Sequence, residues 1–271
     1  MNKKQIDTFI EEIRNESKTH TIAPENLTKI NPLDPEDSEF LSYINGTGGI
    51  YLVFLSLLVK KMNAKTVVEL GNRRGLSTLS MYDQLPAEST FTTIDIIEDV
   101  RYCPDSMFTD PRVSFLFGDV CDIDVLRKTP FDIDLLYTDT IHHYFQIKDE
   151  FEIYQHLLAD TALVAIDDIN VNDKGRFWDE LTCEKWDLTE LCHHSGWGLF
   201  LFERKTSESK EERWGKAVEA SSKIWQRKYT ELQIEKDAAL EKSVHNRART
   251  FLHSHPKLHA VTLNLKKLWA R

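Results

Sequence analysis

Of the four cysteines, Cys103, Cys121, Cys183 and Cys192, no two form a CxxC pair. That argues against a zinc site, and a scattered handful reads as reduced thiols of a cytoplasmic protein. Long hydrophobic runs are also missing. The longest, 50–59, is interrupted by Ser56 and falls far short of the roughly 20 residues that cross a bilayer. The opening Met1-Asn-Lys-Lys-Gln-Ile-Asp7 has no apolar stretch of the secretory-signal kind. Positive charge is scarce over 1–203, where 18 Lys+Arg face 36 Asp+Glu. Such a surface suits nucleic acid poorly, because affinity there depends on neutralising phosphates. There is no internal repeat.

What is present suits an ordinary globular protein. With 271 residues, 41% hydrophobic and 29% charged, the chain can bury a full core and is neither disordered nor membrane-embedded. Apolar positions Ile6, Phe9, Ile10 and Ile13 predict a helix over 3–17. Pro24, Pro32 and Pro35 mark a loop, and 49–62 reads as a mostly buried helix. Short β-branched runs then predict strands at 66–70, 89–95, 113–117, 131–137, 161–166 and 198–202. Helices are expected at 77–85, 149–158 and 175–181. Strands alternating with helices imply an α/β fold, a Rossmann-like, mostly parallel sheet with flanking helices. Ligands bind such sheets beyond the carboxyl ends of the strands. The polar residues at those ends are Glu69, Asp95, Asp119, Asp139, Asp167 and Asp168.

Glu69-Leu-Gly71-Asn72-Arg-Arg-Gly75-Leu-Ser77-Thr78 follows the first strand and opens a helix. Glycines there let the backbone turn tightly and approach a ligand closely. Asp95, about 20 residues on, can hydrogen-bond ribose hydroxyls, and Asp119 after Gly118 could reach an adenine amino group. After the fourth strand comes Asp139-Thr-Ile-His142-His143-Tyr144, and after the fifth Asp167-Asp168-Ile-Asn170. Crowded carboxylates repel unless a cation neutralises them. Hard oxygen ligands favour Mg²⁺ or another divalent cation such as Ca²⁺ or Mn²⁺ over zinc. Such an ion could acidify a substrate hydroxyl, and His142 could remove its proton. The competing expectation is that Asp168 caps the following segment and Asp139 orders the histidine loop.

The Glu-Leu-Gly-x-x-x-Gly-x-Ser-Thr run, the acid after the second strand and Gly118-Asp119-Val120 resemble a class I S-adenosylmethionine-dependent methyltransferase. The GxGxxG of nicotinamide dehydrogenases is absent. The resemblance spans roughly 45–204. It implies that Glu69, Gly71 and Gly75 line the methionine and ribose side, in the turn that also carries Asn72 and Ser77. It further implies that Asp95 holds the ribose while Asp119 and Val120 flank the adenine. The Asp-x-x-His and acidic pair are similar to metal-dependent sugar and macrolide O-methyltransferases. That implies Asp139, Asp167 and Asp168 as metal ligands, His142 as base, and a hydroxyl of a sugar or other small acceptor as substrate. Thr140 stands where that group has glycine, and Asp-Asp replaces the Glu-Asp of the macrolide enzymes. A metal-independent methyltransferase and a catalytically silent domain with a recruiting tail are the alternatives.

Three segments are expected: an N-terminal helix and lid over 1–48, the methyltransferase domain over 49–204 and a helical extension over 205–271. In the first, Tyr43 and Thr47 could reach the cofactor. Trp178 and Trp186 are expected to pack against the sheet, and His193 and His194 to precede the last strand. The region 207–250 lacks proline, and Trp214, Val218, Trp225, Tyr229, Leu232, Leu240 and Val244 recur at helical spacing. That predicts a long helix, folded back on its own domain or pairing as a homo-oligomer. Residues 242–271 hold seven Lys+Arg and no acid. Leu258, Val261, Leu265, Leu268 and Trp269 could form a face for anionic lipid at the inner membrane surface, or for an acidic protein partner.

Overall fold

The computed structural model describes residues 1–31, 41–42, 44 and 49–254, apart from the side chains of 24, 235, 237–241 and 243–254. Tyr43, Thr47 and the apolar positions after Pro256 lie outside the described residues. The chain divides into two compact units, Met1–Ser222 and Lys223–Arg271.

Helix α1 (Lys3–Glu16) starts at Asn2, whose side chain accepts from the Gln5 amide in a capping box. It buries Ile6, Ile10 and Ile13, three positions on one helical face. Helix α2 (Tyr51–Met62) is apolar nearly all round, and 52–59 are all buried. It ends at Asn63 in the left-handed conformation, a common helix terminator.

Seven strands follow: β1 (Thr66–Leu70), β2 (Thr90–Asp95), β3 (Val113–Phe117), β4 (Ile133–Thr138), β5 (Leu158–Asp167), β6 (Lys185–Asp187) and β7 (Trp197–Glu203). They form one sheet in the order β3-β2-β1-β4-β5-β7-β6. All pairs among β1 to β5 are parallel, and β7 runs antiparallel to both β5 and β6. The central strands are buried along most of their length, as continuous apolar runs require. The intervening helices are α3 (Leu76–Asp83), α4 (Asp105–Thr109), α5 (Ile123–Leu126), α6 (Tyr144–Tyr154) and α7 (Gly175–Glu180).

The structure differs from the sequence expectation in places. Helix α6 begins at Tyr144 instead of 149, because the Asp173 carboxylate accepts the Tyr144 amide at 2.9 Å and holds the first turn. Strand β5 starts at Leu158, which had been given to that helix. The short α4, α5 and β6 carried no periodic signal long enough to read. Trp178 does pack on the sheet, its ring filling the space beside Gly198 on β7. Trp186 lies on β6 and donates to Asp7 at 2.7 Å.

Helix α8 (Lys210–Ser254) runs for 45 residues. Its first turns are fastened to the sheet domain. Arg213 donates to the Leu158 carbonyl at 2.9 Å and to Asp132 at 2.7 Å, and Ser221 to the Cys121 carbonyl at 2.7 Å. In the second unit Trp225, Tyr229 and Leu232 are exposed at helical spacing. Among the described residues, no helix is long and apolar enough to cross a membrane.

Candidate active site

The chain places β2 and β3 on one side of β1, then crosses to β4 on the other. The reversal opens a crevice at the carboxyl ends of β1 and β4. Gly71 and Gly75 make the turn after β1, with φ of +84° and +90°. A Cβ at Gly71 would be driven into the Asp139 carbonyl, and one at Gly75 into the Cys103 sulfur. The two strand ends are therefore in direct contact, and the Asp139 amide donates to the Leu70 carbonyl at 2.8 Å.

Asp95, at the end of β2, accepts the amides of Asn72 and Arg73 at 2.8 and 2.7 Å on one oxygen, and that of Ile97 at 2.9 Å on the other. It orders the glycine turn, and a carboxylate has lone pairs left for a ligand hydroxyl. Asn72 is 3% exposed; its amide nitrogen donates to Thr93 at 3.0 Å, while its Oδ1 is buried with no hydrogen-bond partner among the described residues. Asp119 accepts the Cys121 amide at 2.8 Å. Val120 is buried next to it, its carbonyl accepting the Tyr154 hydroxyl at 3.0 Å.

Glu69 sits deeper than its position in the motif suggests. It has no exposure, and its carboxylate accepts from Ser77, Thr78 and Thr93 at 2.5, 2.6 and 2.7 Å. Burial raises its pKa from 4.5 to about 7, against the pull of the three hydroxyls. Glu69 and Ser77 thus brace the turn from behind, tying β1, β2 and the first turn of α3.

On the other side of the crevice, His142 Nε2 lies 3.5 Å from Asp139 and 3.1 Å from Asp168. The Asp139 hydrogen bond, outweighing partial burial, lifts His142 above its ordinary 6.5. Burial, then the charge of Asp167, raises both Asp139 and Asp168. Asp168 adopts a left-handed φ of +55°, an uncommon conformation for a non-glycine residue that turns its carboxylate out of the strand line. His143 lies one residue off the site and meets Asp173 at 3.3 Å instead. Tyr144 is buried and donates to Glu180.

The three aspartates foreseen as ligands fall into two groups. Asp139, His142 and Asp168 offer donor atoms within 4.8 Å of one another; so do Asp167, Asp168 and His193. Asp167 faces Tyr137, which donates at 3.2 Å, and His193 Nε2 at 2.5 Å. Burial disfavours a charged His193, but the Asp167 hydrogen bond and charge outweigh it and raise the pKa. His193 reaches the crevice because antiparallel β7 brings its leading end back to Asp167, which pairs with Trp197. A parallel strand there would have placed it at the opposite edge. Sequence reasoning also passed over Lys174, 1% exposed and with no hydrogen-bond partner for Nζ among the described residues, and the buried Glu150. A lysine in a polar loop carries no sequence signal of burial.

Residues 68–169 match a family model described as a methyltransferase domain. No curated protein matches the chain in sequence. Among solved structures, the S-adenosylhomocysteine-bound methyltransferase PaMTH1 of Podospora anserina is 14% identical with a TM-score of 0.53, over 76% of this chain and 97% of its own. A methyltransferase from Geobacter sulfurreducens is 16% identical with a TM-score of 0.51, over 75% and 98%. Over residues 68–169 the chain is similar to a methyltransferase domain, and its fold is the one seen in these solved methyltransferases.

Proposed function

We propose that the protein transfers a methyl group from S-adenosylmethionine to a hydroxyl of a sugar or other small acceptor, with His142 as the proton acceptor. One observation carries this reading. His142 bridges Asp139 and Asp168 at the strand end that touches the glycine turn, so a base stands beside the cofactor-binding loop. The turn residues suit the methyl donor. The left-handed glycines let the turn pack directly on the Asp139 backbone, Asn72 Oδ1 has no hydrogen-bond partner among the described residues, and Asp95 orders the turn on the side read as the nucleoside side. Asp119 and Val120 stand where the adenine would lie, at the end of β3.

A hydroxyl oxygen that gains a methyl must lose its proton. His142 accepts that proton, and the carboxylates of Asp139 and Asp168 stabilise the imidazolium that results. Asp167 and His193, fixed on each other, tie the end of β5 to the segment before β7. Gly71 and Asp139 hold donor and acceptor sides in register, which is where alignment contributes to rate. The carboxylates of Asp139 and Asp168, whose oxygens lie within 4.8 Å of each other, also fit a hard divalent cation such as Mg²⁺. Asp139 and Asp168 would hold it, with Asp167 behind them, and His142 stays free as the base. When bound, it would lower the pKa of the acceptor hydroxyl.

Calorimetric titration of S-adenosylhomocysteine, with and without Mg²⁺, tests the reading. Micromolar binding that is lost in Asp95→Ala supports it and justifies an acceptor screen beginning with sugars. No binding under either condition sinks it.

A further inference from the structure

Glu150 lies on the buried face of α6, one turn beyond Ile147, and is 1% exposed. It lines a small cavity with Leu70, Leu136, Ile147, Phe151 and Val164. A carboxyl among such apolar neighbours is costly unless hydrogen bonds replace its water. Three do, and all come from one stretch of chain. Oε2 accepts the Thr138 hydroxyl at 2.9 Å. Oε1 accepts the Thr140 hydroxyl at 2.6 Å and the Gln146 side-chain amide at 2.7 Å. Gln146 is four residues away on the same helix, an ordinary pairing. The two threonines are different, because they bracket Asp139 at the end of β4. Residues two apart in extended chain point the same way. One carboxyl therefore takes both hydroxyls and holds the chain on either side of Asp139.

That piece of chain is where the two halves of the crevice touch. A Cβ at Gly71 would press into the Asp139 carbonyl and lie 3.0 Å from the Thr140 nitrogen, so the glycine turn rests on the Asp139–Thr140 peptide. Further along, Asp173 accepts the Tyr144 amide at 2.9 Å. His142 therefore sits in a short span tethered at Thr140 and at Tyr144. We infer that Glu150 is a positioning residue of the site, clamping Thr138 and Thr140 so that the peptide between Asp139 and Thr140 stays seated under the glycine turn. The inference rests on the reading of that turn as the S-adenosylmethionine site. An apolar side chain at 150 would fill the same face of α6 and leave the loop unattached. The carboxyl acts on the cofactor through the loop, without touching it.

The test is calorimetric titration of S-adenosylhomocysteine into the full-length protein, beside amide hydrogen exchange of the unliganded chain by NMR. Thr140→Val removes the hydroxyl at nearly constant shape. It is expected to weaken binding about tenfold, the worth of one hydrogen bond to a charged group. Thr140→Ser returns the hydroxyl and should bind within about twofold of the wild type. In Thr140→Val the Asp139 amide, which donates to the Leu70 carbonyl, should exchange faster. The Phe91 amide, bonded to the Arg112 carbonyl at the other end of β2, should not change. If Thr140→Val gives no folded protein, Thr140→Ala takes its place with the same expectation. Wild-type affinity in the valine variant overturns the inference. Equal weakening by valine and serine does so too, since the hydroxyl would then be irrelevant. Faster exchange at both amides would mark general destabilisation and also overturns it. If the wild type takes no S-adenosylhomocysteine, the methyltransferase reading fails and the inference falls with it. If the wild type binds and Thr140→Val binds equally, the inference alone fails.

Discussion

Glu69→Gln isolates the energetic cost of the buried carboxyl behind the glycine turn. Burial holds that carboxyl at about 7 in the folded chain, against 4.5 ordinarily. Below pH 4.5 both folded and unfolded chains carry the proton, and pH has no effect through this group. Between those two values the unfolded chain releases its proton while the folded chain keeps it. The unfolded state then binds fewer protons, so stability falls as pH rises. Above about pH 7 both are ionised and the loss is complete. At roughly 1.4 kcal/mol per pKa unit, the displacement amounts to about 3 kcal/mol. Glutamine has no proton to lose. The variant gives up hydrogen-bond strength from Ser77, Thr78 and Thr93 by an amount independent of pH. Relative to the wild type it should then gain about 3 kcal/mol between pH 4.5 and about pH 8. Urea unfolding of both proteins across that range measures the difference directly, because every other titrating group cancels. Parallel stability curves would refute the assignment of a raised pKa to Glu69.

Three further outcomes are expected. The His142 ring should titrate above 6.5 in an NMR pH series, and Asp139→Asn should lower it, since that hydrogen bond is the largest cause of the rise. Because proton removal needs the neutral ring, methyl transfer should increase with pH through the same raised midpoint. Gly71→Ala should cost at least ~2 kcal/mol in thermal or urea unfolding, adding left-handed strain to a collision with the Asp139 backbone, and should abolish S-adenosylhomocysteine binding. His193→Ala leaves Asp167, 5% exposed, without its shortest partner; a loss of about 3 kcal/mol is expected, and one under about 1 kcal/mol would show the pair to be energetically idle.

The sequence by itself determined the layers of the fold and one half of the site. Strand 66–70, closed by Gly71, reads directly because a buried parallel strand is a continuous β-branched run, and the partly exposed edge strand 113–117 is marked by the Gly118 that closes it. The Gly71–Gly75 turn, Asp95 and Asp119 could be aligned for the same reason. Each follows a strand end within a few residues, so chain order alone puts them at one edge. Asp139 and His142 are legible too, three residues apart in one loop. What only the tertiary structure decided is direction and depth. Antiparallel β7 returns His193 to Asp167 across a separation of 26 residues, and no local pattern encodes that pairing. Glu69 reads as a ligand-facing acid but is wrapped by three hydroxyls, two of them from α3 and one from β2. Lys174 reads as one more polar loop residue, yet the fold leaves it 1% exposed. Periodicity fixes which face of an element is apolar, whereas the burial of a single charge depends on neighbours that arrive from elsewhere in the chain.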